Sequence, residues 1–297
     1  MIVFTQEQHN NMLQCFGESF VNKLPTKLEF FAKQWELSDF SLIEYYSVNC
    51  LFYCQSEEYG DCVLKVFGCD YHWYIDEINV LNEFKGNRRY VQAHECNKEL
   101  GALLLERISP GETLKAEASI DKRLSVFSET WNKAHIIPHE LEIYKSYLET
   151  VVIAAGQPWA IGDNPVLRRM AGDMVISCRE LYLKYPERFL LHADLHGDNL
   201  LKSNNGDYII VDPHGRIGPP ICDLGRFIAN EYADADEYSK AQTVDYIINN
   251  LSKAFQLDKN DIQKAFFVDF TLMTCWDAED GSVNLDGALF AQSLLQH

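Results

Sequence analysis

The period of the hydrophobic pattern changes once along this 297-residue chain, at Ser109-Pro110-Gly111, and that change limits the fold classes open to it. Before the change, short apolar runs bounded by turn formers read as strands: Leu42 to Val48, Leu51 to Gln55, Cys62 to Phe67, Tyr90 to Ala93 and Gly101 to Leu105. Glu57-Glu58-Tyr59-Gly60-Asp61 joins the second and third as a hairpin. Asp70 to Phe84, with Tyr74, Ile78 and Leu81 on one side, reads as an interposed helix. Residues up to about 40 read as helical, with Met12, Phe16, Phe20 and Leu24 as an apolar stripe. After the change, helical spacing runs to the C-terminus, clearest at Leu167, Met170, Ala171, Met174, Cys178 and Leu181. The expected class is α+β, a small five-stranded antiparallel lobe over residues 1–107 and a larger, mostly helical lobe over 108–297. No repeat and no Pro/Gly/Ser linker separates them.

Charge narrows the partners. Lys and Arg number 26 against 44 Asp and Glu, a formal net charge of −18, which repels nucleic acid and anionic membrane surfaces and attracts cationic solutes. The nine cysteines are odd in number, irregularly spaced and often inside apolar runs, as expected in a reducing compartment. Cys50 and Cys54 are the closest pair, but no second pair follows at zinc-site spacing. Met1 to Gly17 is too polar for a secretory apolar region, and no apolar run approaches a membrane span, so a cytoplasmic protein is expected. Oligomeric state is not legible.

One polar segment interrupts the helical half. It reads Leu191-His192-Ala193-Asp194-Leu195-His196-Gly197-Asp198-Asn199-Leu200-Leu201, then a turn at Asn204-Asn205-Gly206-Asp207 and an apolar strand, Tyr208-Ile209-Ile210-Val211, ending at Asp212. Phosphoryl transfer requires a divalent metal on the phosphates, a carboxylate to orient the attacking hydroxyl, and in-line geometry. Asp194, Asn199 and Asp212 can supply these from one loop and the end of a strand. The spacing is that of the catalytic loop H-x-D-x-x-x-x-N with a metal-binding Asp after a following strand.

With Asp212-Pro213-His214-Gly215-Arg216-Ile217-Gly218-Pro219-Pro220-Ile221-Cys222-Asp223-Leu224-Gly225-Arg226-Phe227, this loop resembles the aminoglycoside phosphotransferase superfamily, most closely its streptomycin 6-kinase and hydroxyurea phosphotransferase branch. The similarity runs from about residue 40 to the end. It implies a protein-kinase-like bilobal fold, ATP or GTP with Mg²⁺, Asp194 as catalytic base and Asn199 and Asp212 as metal ligands. His196 could reach the γ-phosphate, His192 would be a prop beneath the loop, and Asp223 would cap a helix or hold the loop backbone. Two other readings stay open: a metal-dependent hydrolase built on His192, Asp194, His196 and Asp198, and a pseudokinase that binds nucleotide without turnover.

Lys65, a charge amid Val63-Leu64-Lys65-Val66-Phe67, needs a partner or an anionic ligand. The kinase-like resemblance places it on the α- and β-phosphates, held by Glu77. It also makes Gly101 to Gly111 the adenine-binding segment, with Glu106 and Ile108 offering backbone contacts. The phosphate-covering stretch Tyr45-Tyr46-Ser47-Val48-Asn49-Cys50-Leu51 has no glycine, so Ser47 and Asn49 would act through their side chains. For a cationic acceptor the helical half offers Glu231, Asp234, Asp236, Glu237, Asp277, Glu279 and Asp280, and Cys275-Trp276-Asp277-Ala278-Glu279-Asp280-Gly281 resembles a C-terminal segment of the streptomycin-kinase branch. Trp276, Glu279, Asp280 and Glu231 are the expected acceptor contacts; a solvated acidic turn is the plainer reading of that segment.

Overall fold

The structure is a computed structural model that describes residues 4–44, 48–68, 73–157 and 164–296. Contacts divide the chain into two compact units, residues 1–111 with 202–209, and 112–201 with 210–297.

The first unit opens with α1 (Gln6–Gln34). Thr5 caps it reciprocally: its side chain accepts the Gln8 N–H at 3.1 Å and the Gln8 side chain accepts the Thr5 N–H at 3.0 Å. Gly17, at φ 78°, kinks the helix. Met12, Phe20 and Leu24 of the expected stripe are buried, together with Leu28 and Phe31, while Phe16 is half-buried against the same core. A five-stranded antiparallel sheet follows, made of β1 (Leu37–Ile43), β2 (Asn49–Ser56), β3 (Gly60–Phe67), β4 (Ala93–Asn97) and β5 (Ala102–Glu106), in the spatial order β1-β2-β3-β5-β4. Helix α2 (Trp73–Glu83) lies between β3 and β4 in sequence and buries Ile78 and Leu81.

The interior strands lie where the apolar runs place them. Both edges differ from expectation. β1 begins at Leu37, and the expected strand at Tyr90 to Ala93 is instead Ala93–Asn97. An edge strand is paired on one side only, so Ser38, Asp39 and Ser41, or His94, Glu95 and Asn97, can occupy it without an apolar run to mark it.

A short strand, β6 (Pro110–Thr113), spans the point where the hydrophobic period changes. The second unit contains α3 (Ile120–Trp131), α4 (Tyr147–Ala155), α5 (Pro165–Lys184), α6 (Cys222–Asp234), α7 (Lys240–Phe255), α8 (Lys259–Glu279) and α9 (Asp286–Ser293). Asn164 caps α5 by accepting the Leu167 N–H at 3.0 Å, with Pro165 preset for the first turn. Every position of the expected α5 stripe is buried. Helices α6 and α8 are nearly enclosed: Phe227 stacks on Phe127 at 3.9 Å, and Gly225 lets the Ala265 carbonyl and Asp269 approach where a Cβ would collide. The polar segment carries β7 (Phe189–Leu191), β8 (Leu200–Ser203), β9 (Tyr208–Ile210) and β10 (Arg216–Gly218), with β7 and β10 paired antiparallel. Among the described residues no helix is long and apolar enough to cross a membrane.

Candidate active site

The loop between β7 and β8 is held from beneath by a buried carboxylate. Asp223, in the first turn of α6, accepts the N–H of His192 at 3.0 Å and of Ala193 at 2.8 Å, and lies 2.9 Å from His135 Nε2. These bonds hold Ala193 at φ 63°, a left-handed conformation that costs a residue with a Cβ on the order of 1–2 kcal/mol. His192 is fully buried, and both ring nitrogens are engaged. Nδ1 accepts the Asp194 N–H at 3.1 Å, so Nε2 carries the proton and donates to the Val211 carbonyl at 2.9 Å. Burial pushes its pKa down, keeping the ring neutral. Neither nitrogen is left for a metal, and among the described residues no three His, Cys, Asp or Glu side chains gather to hold one. The His192-Asp194-His196-Asp198 hydrolase reading therefore lacks its first ligand.

Asp194 stands above this support. Its Oδ2 accepts from Asn199 Nδ2 at 3.2 Å and lies 3.6 Å from His196 Nε2 and 3.8 Å from His214 Nε2; its Oδ1 is 3.3 Å from Arg226 Nε. Burial alone would raise its pKa, but Arg226, His214 and His196 outweigh that and hold the carboxyl well below the usual carboxylate range. The group is an anion in a half-buried setting. Asn199 also donates to the Asp194 carbonyl at 2.8 Å, and with its amide nitrogen so engaged its Oδ1 is the atom suited to a cation. The Val211 N–H donates to the Asn199 carbonyl at 3.0 Å, which delivers the next residue, Asp212, beside that loop with φ at 57°. An amide oxygen and one carboxylate fit Mg²⁺, a hard cation that keeps few protein ligands and takes the rest from phosphates and water.

Arg226 was not among the residues singled out by sequence. Its Nε lies 2.9 Å from Asp269 Oδ2 as well as near Asp194, and its Cζ lies 5.5 Å from the centre of the Trp276 ring. Asp269 Oδ1 accepts from the Tyr147 hydroxyl at 3.1 Å. Burial pushes Asp269 up to about 6, with Asp194 adding to the rise and Arg226 opposing it. Two signals pointed here: Arg226 is three residues after Asp223 and so shares its helix face, and Asp269 is a charge inside Ala265-Phe266-Phe267-Val268-Asp269-Phe270, the pattern that drew attention to Lys65.

In the first unit, Lys65 Nζ bonds both oxygens of Glu77, at 2.9 Å and 2.7 Å, inside the sheet and beside the Phe67 ring. Asn49 is buried at the start of β2; Ser47 lies outside the described residues. The Glu106 backbone N–H donates to the Gln92 carbonyl at 2.9 Å, and its carboxylate accepts the Gln92 N–H at 2.8 Å. Ile108 is half-buried.

The acceptor residues divide. Trp276 is half-buried against Arg226, and Glu279 and Asp280 are exposed at the end of α8. Glu231 is buried and held by both ends of the Arg123 guanidinium, at 2.8 Å and 2.7 Å. Its charge is already neutralised, so the structure does not offer it as a free partner for a cation. It lines a pocket of about 530 Å³ with Asp234, Asp236, Thr243 and Tyr246.

The chain is 24% identical to a streptomycin 6-kinase of Streptomyces griseus over 203 residues, covering 66% of this chain and 64% of that protein, so the match spans less than two thirds of the relative's length. It is 25% identical to a hydroxyurea phosphotransferase of Kitasatospora aureofaciens over 278 residues, covering 91% of this chain and 77% of that one. A crystal structure of aminoglycoside phosphotransferase APH(4)-Ia, a thermostable mutant in ternary complex with ADP and hygromycin B, superposes with a TM-score of 0.62 at 15% identity, covering 90% of this chain and 96% of that chain, which shows the kinase-like fold. The model of one family, described as aminoglycoside/hydroxyurea antibiotic resistance kinase, matches residues 75–281, more than half of the sequence, and the chain belongs to that family.

Proposed function

We propose that this protein transfers the γ-phosphoryl group of ATP or GTP to a hydroxyl of a small acceptor, with Asp194 as the base. The observation that carries the reading is the Asp194–Asn199 contact at 3.2 Å: a half-buried carboxylate kept ionised, bonded to an amide whose oxygen would take a metal. The acceptor oxygen attacks the γ-phosphorus, the bond to the β–γ bridging oxygen breaks, the nucleoside diphosphate leaves with that electron pair, and the hydroxyl proton passes to Asp194. Asn199 and Asp212 would hold Mg²⁺, which neutralises phosphate charge. Lys65, oriented by Glu77, would hold the α- and β-phosphates, with Asn49 assisting and Ser47 beside it in sequence. The Glu106 carbonyl and the Ile108 N–H would meet the base, since the Glu106 N–H is taken by Gln92. His196, within 3.6 Å of Asp194, would face the phosphoryl group.

The relatives act on streptomycin and hydroxyurea, as their names state, and the ternary complex holds ADP with hygromycin B. With a net charge of −18 and exposed Glu279 and Asp280 near Trp276, we assign this chain a cationic acceptor of aminoglycoside type. The test is Mg²⁺-dependent release of ADP or GDP across aminoglycosides, streptomycin first, and small amino alcohols. Stimulation by one acceptor, lowered by about 10³-fold or more in Asp194→Ala, is expected. Nucleotide binding without turnover on any acceptor points to the pseudokinase reading, and absence of nucleotide binding overturns the assignment.

A further inference from the structure

A positive charge beside a general base needs a reason, because it weakens the base it touches. Arg226 is such a charge: it is 8% exposed, with Nε 3.3 Å from Asp194 Oδ1 and 2.9 Å from Asp269 Oδ2. These are charge contacts rather than directed bonds, since Nε, Nη2 and Asp269 Oδ2 have no partner at hydrogen-bonding angle among the described residues. Such an arrangement is a poor way to stabilise a fold. Buried ion pairs with unmet donors suffer desolvation that their attraction does not fully offset, and an apolar replacement of the whole pair is often as stable or more so.

What the position does provide is control of one carboxylate from the rear. The two oxygens of Asp194 are divided between two sets of neighbours, Oδ1 toward Arg226 and Oδ2 toward Asn199, His196 and His214. Arg226 is itself fixed on two sides, by Asp269 and by the face of Trp276. Asp269 is fixed in turn by the Tyr147 hydroxyl. Helix α6 thus holds the loop twice, through Asp223 on the backbone of His192 and Ala193 and, one helical turn on, through Arg226 on the side chain of Asp194. Gly225 allows α8 close enough to bring Asp269 to this place.

We infer that Arg226, clamped by Asp269 and Trp276, is a positioning residue of the proposed phosphotransfer: it fixes the orientation of the Asp194 carboxylate so that the second oxygen is presented to the acceptor hydroxyl. Asp269 and Tyr147 serve it by holding the guanidinium in place. The inference rests on the kinase reading of Asp194, and its test has one arm that does not.

The experiment compares wild type with Arg226→Met/Asp269→Asn, which removes both charges together, and with Arg226→Lys. In the kinetic arm the double variant should lose about 100-fold in kcat, the size of effect a misplaced catalytic group produces, with KM for ATP within about twofold and a wild-type-like Tm. Arg226→Lys should stay folded and lose about tenfold, because a compact ammonium cannot face two carboxylates as a guanidinium does. In the crystallographic arm the Asp194 carboxylate of the double variant should take a new or divided orientation. A kcat within about threefold of wild type, or an Asp194 orientation unchanged in the double variant, overturns the inference. If the wild-type enzyme turns over no acceptor, the proposed function fails, and the crystallographic arm alone decides on Arg226. If the double variant does not fold, Arg226→Lys decides: wild-type kcat, or in an inactive enzyme an unchanged Asp194, overturns the role.

Discussion

Lys65 Nζ lies 2.9 Å and 2.7 Å from the two carboxylate oxygens of Glu77, and only 5% and 6% of the two side chains is exposed. Lys65→Met alone leaves a buried carboxylate without its cation, which should cost about 3–5 kcal/mol of stability. Lys65→Met/Glu77→Leu should recover most of that loss. Nucleotide affinity should fall in both variants, because the ammonium proposed to hold the α- and β-phosphates is gone. Urea unfolding beside ATP titration separates the two effects; a double variant with restored stability and wild-type affinity would remove Lys65 from the phosphate site.

Asp223 receives two backbone N–H groups and faces the His135 ring, in a site 1% exposed. Asp223→Asn turns one acceptor into a donor facing other donors, so about 1–3 kcal/mol should be lost. Because those bonds hold Ala193 in its left-handed conformation, kcat should fall at least about tenfold with KM for nucleotide little changed. Urea midpoints and steady-state kinetics on one preparation check both.

Asp269 supplies a pH signature. Its folded pKa, about 6, lies above the ordinary 3.8, so the folded chain binds this proton more tightly than the unfolded chain. The stability linked to that proton is complete below 3.8 and is lost as the pH rises through about 6. A shift of this size corresponds to about 3 kcal/mol. Between about pH 4 and 7, the Tm of wild type should therefore drop relative to that of Asp269→Asn. Melting curves across that range give the difference; a constant gap would place the Asp269 proton elsewhere.

Gly225→Ala should cost about 1–3 kcal/mol, because the added methyl meets the Ala265 carbonyl and lies 2.7 Å from Asp269 Cβ. It should also lower kcat by moving Asp269 off Arg226. Gly172→Ala, on α5 with nothing within 4 Å of the new methyl, should instead be neutral or gain up to about 1 kcal/mol. Thermal melts of the pair distinguish close packing from ordinary helix propensity.

The strands that were legible share one property: burial on both sides. Cys62 to Phe67 and Ala102 to Leu105 are interior strands whose apolar runs follow directly from that position. The edge strands β1 and β4 carry no such mark, and their true bounds emerge only when Leu37 pairs with Ser56 and Ala93 with Leu105. The site shows the same division. Asp194, Asn199 and Asp212 stand at a spacing that one loop and one hairpin return suffice to bring together, so local sequence carries them. Arg226 and Asp269 lie 32 and 75 residues from Asp194, and only the packing of α6 on α8 puts them beside it.

The sequence by itself determined that a small β-rich half precedes a helical one, and that a carboxylate, an amide and a second carboxylate return to one place, because hydrophobic period and short-range spacing act along the chain. Tertiary structure decided which charges are available. Glu231, a candidate for binding a cation, is held by Arg123, while Arg226, unremarked on an enclosed helix, meets Asp194. Those pairings join residues far apart in sequence, and their strength depends on exclusion of water, which no stretch of sequence specifies alone.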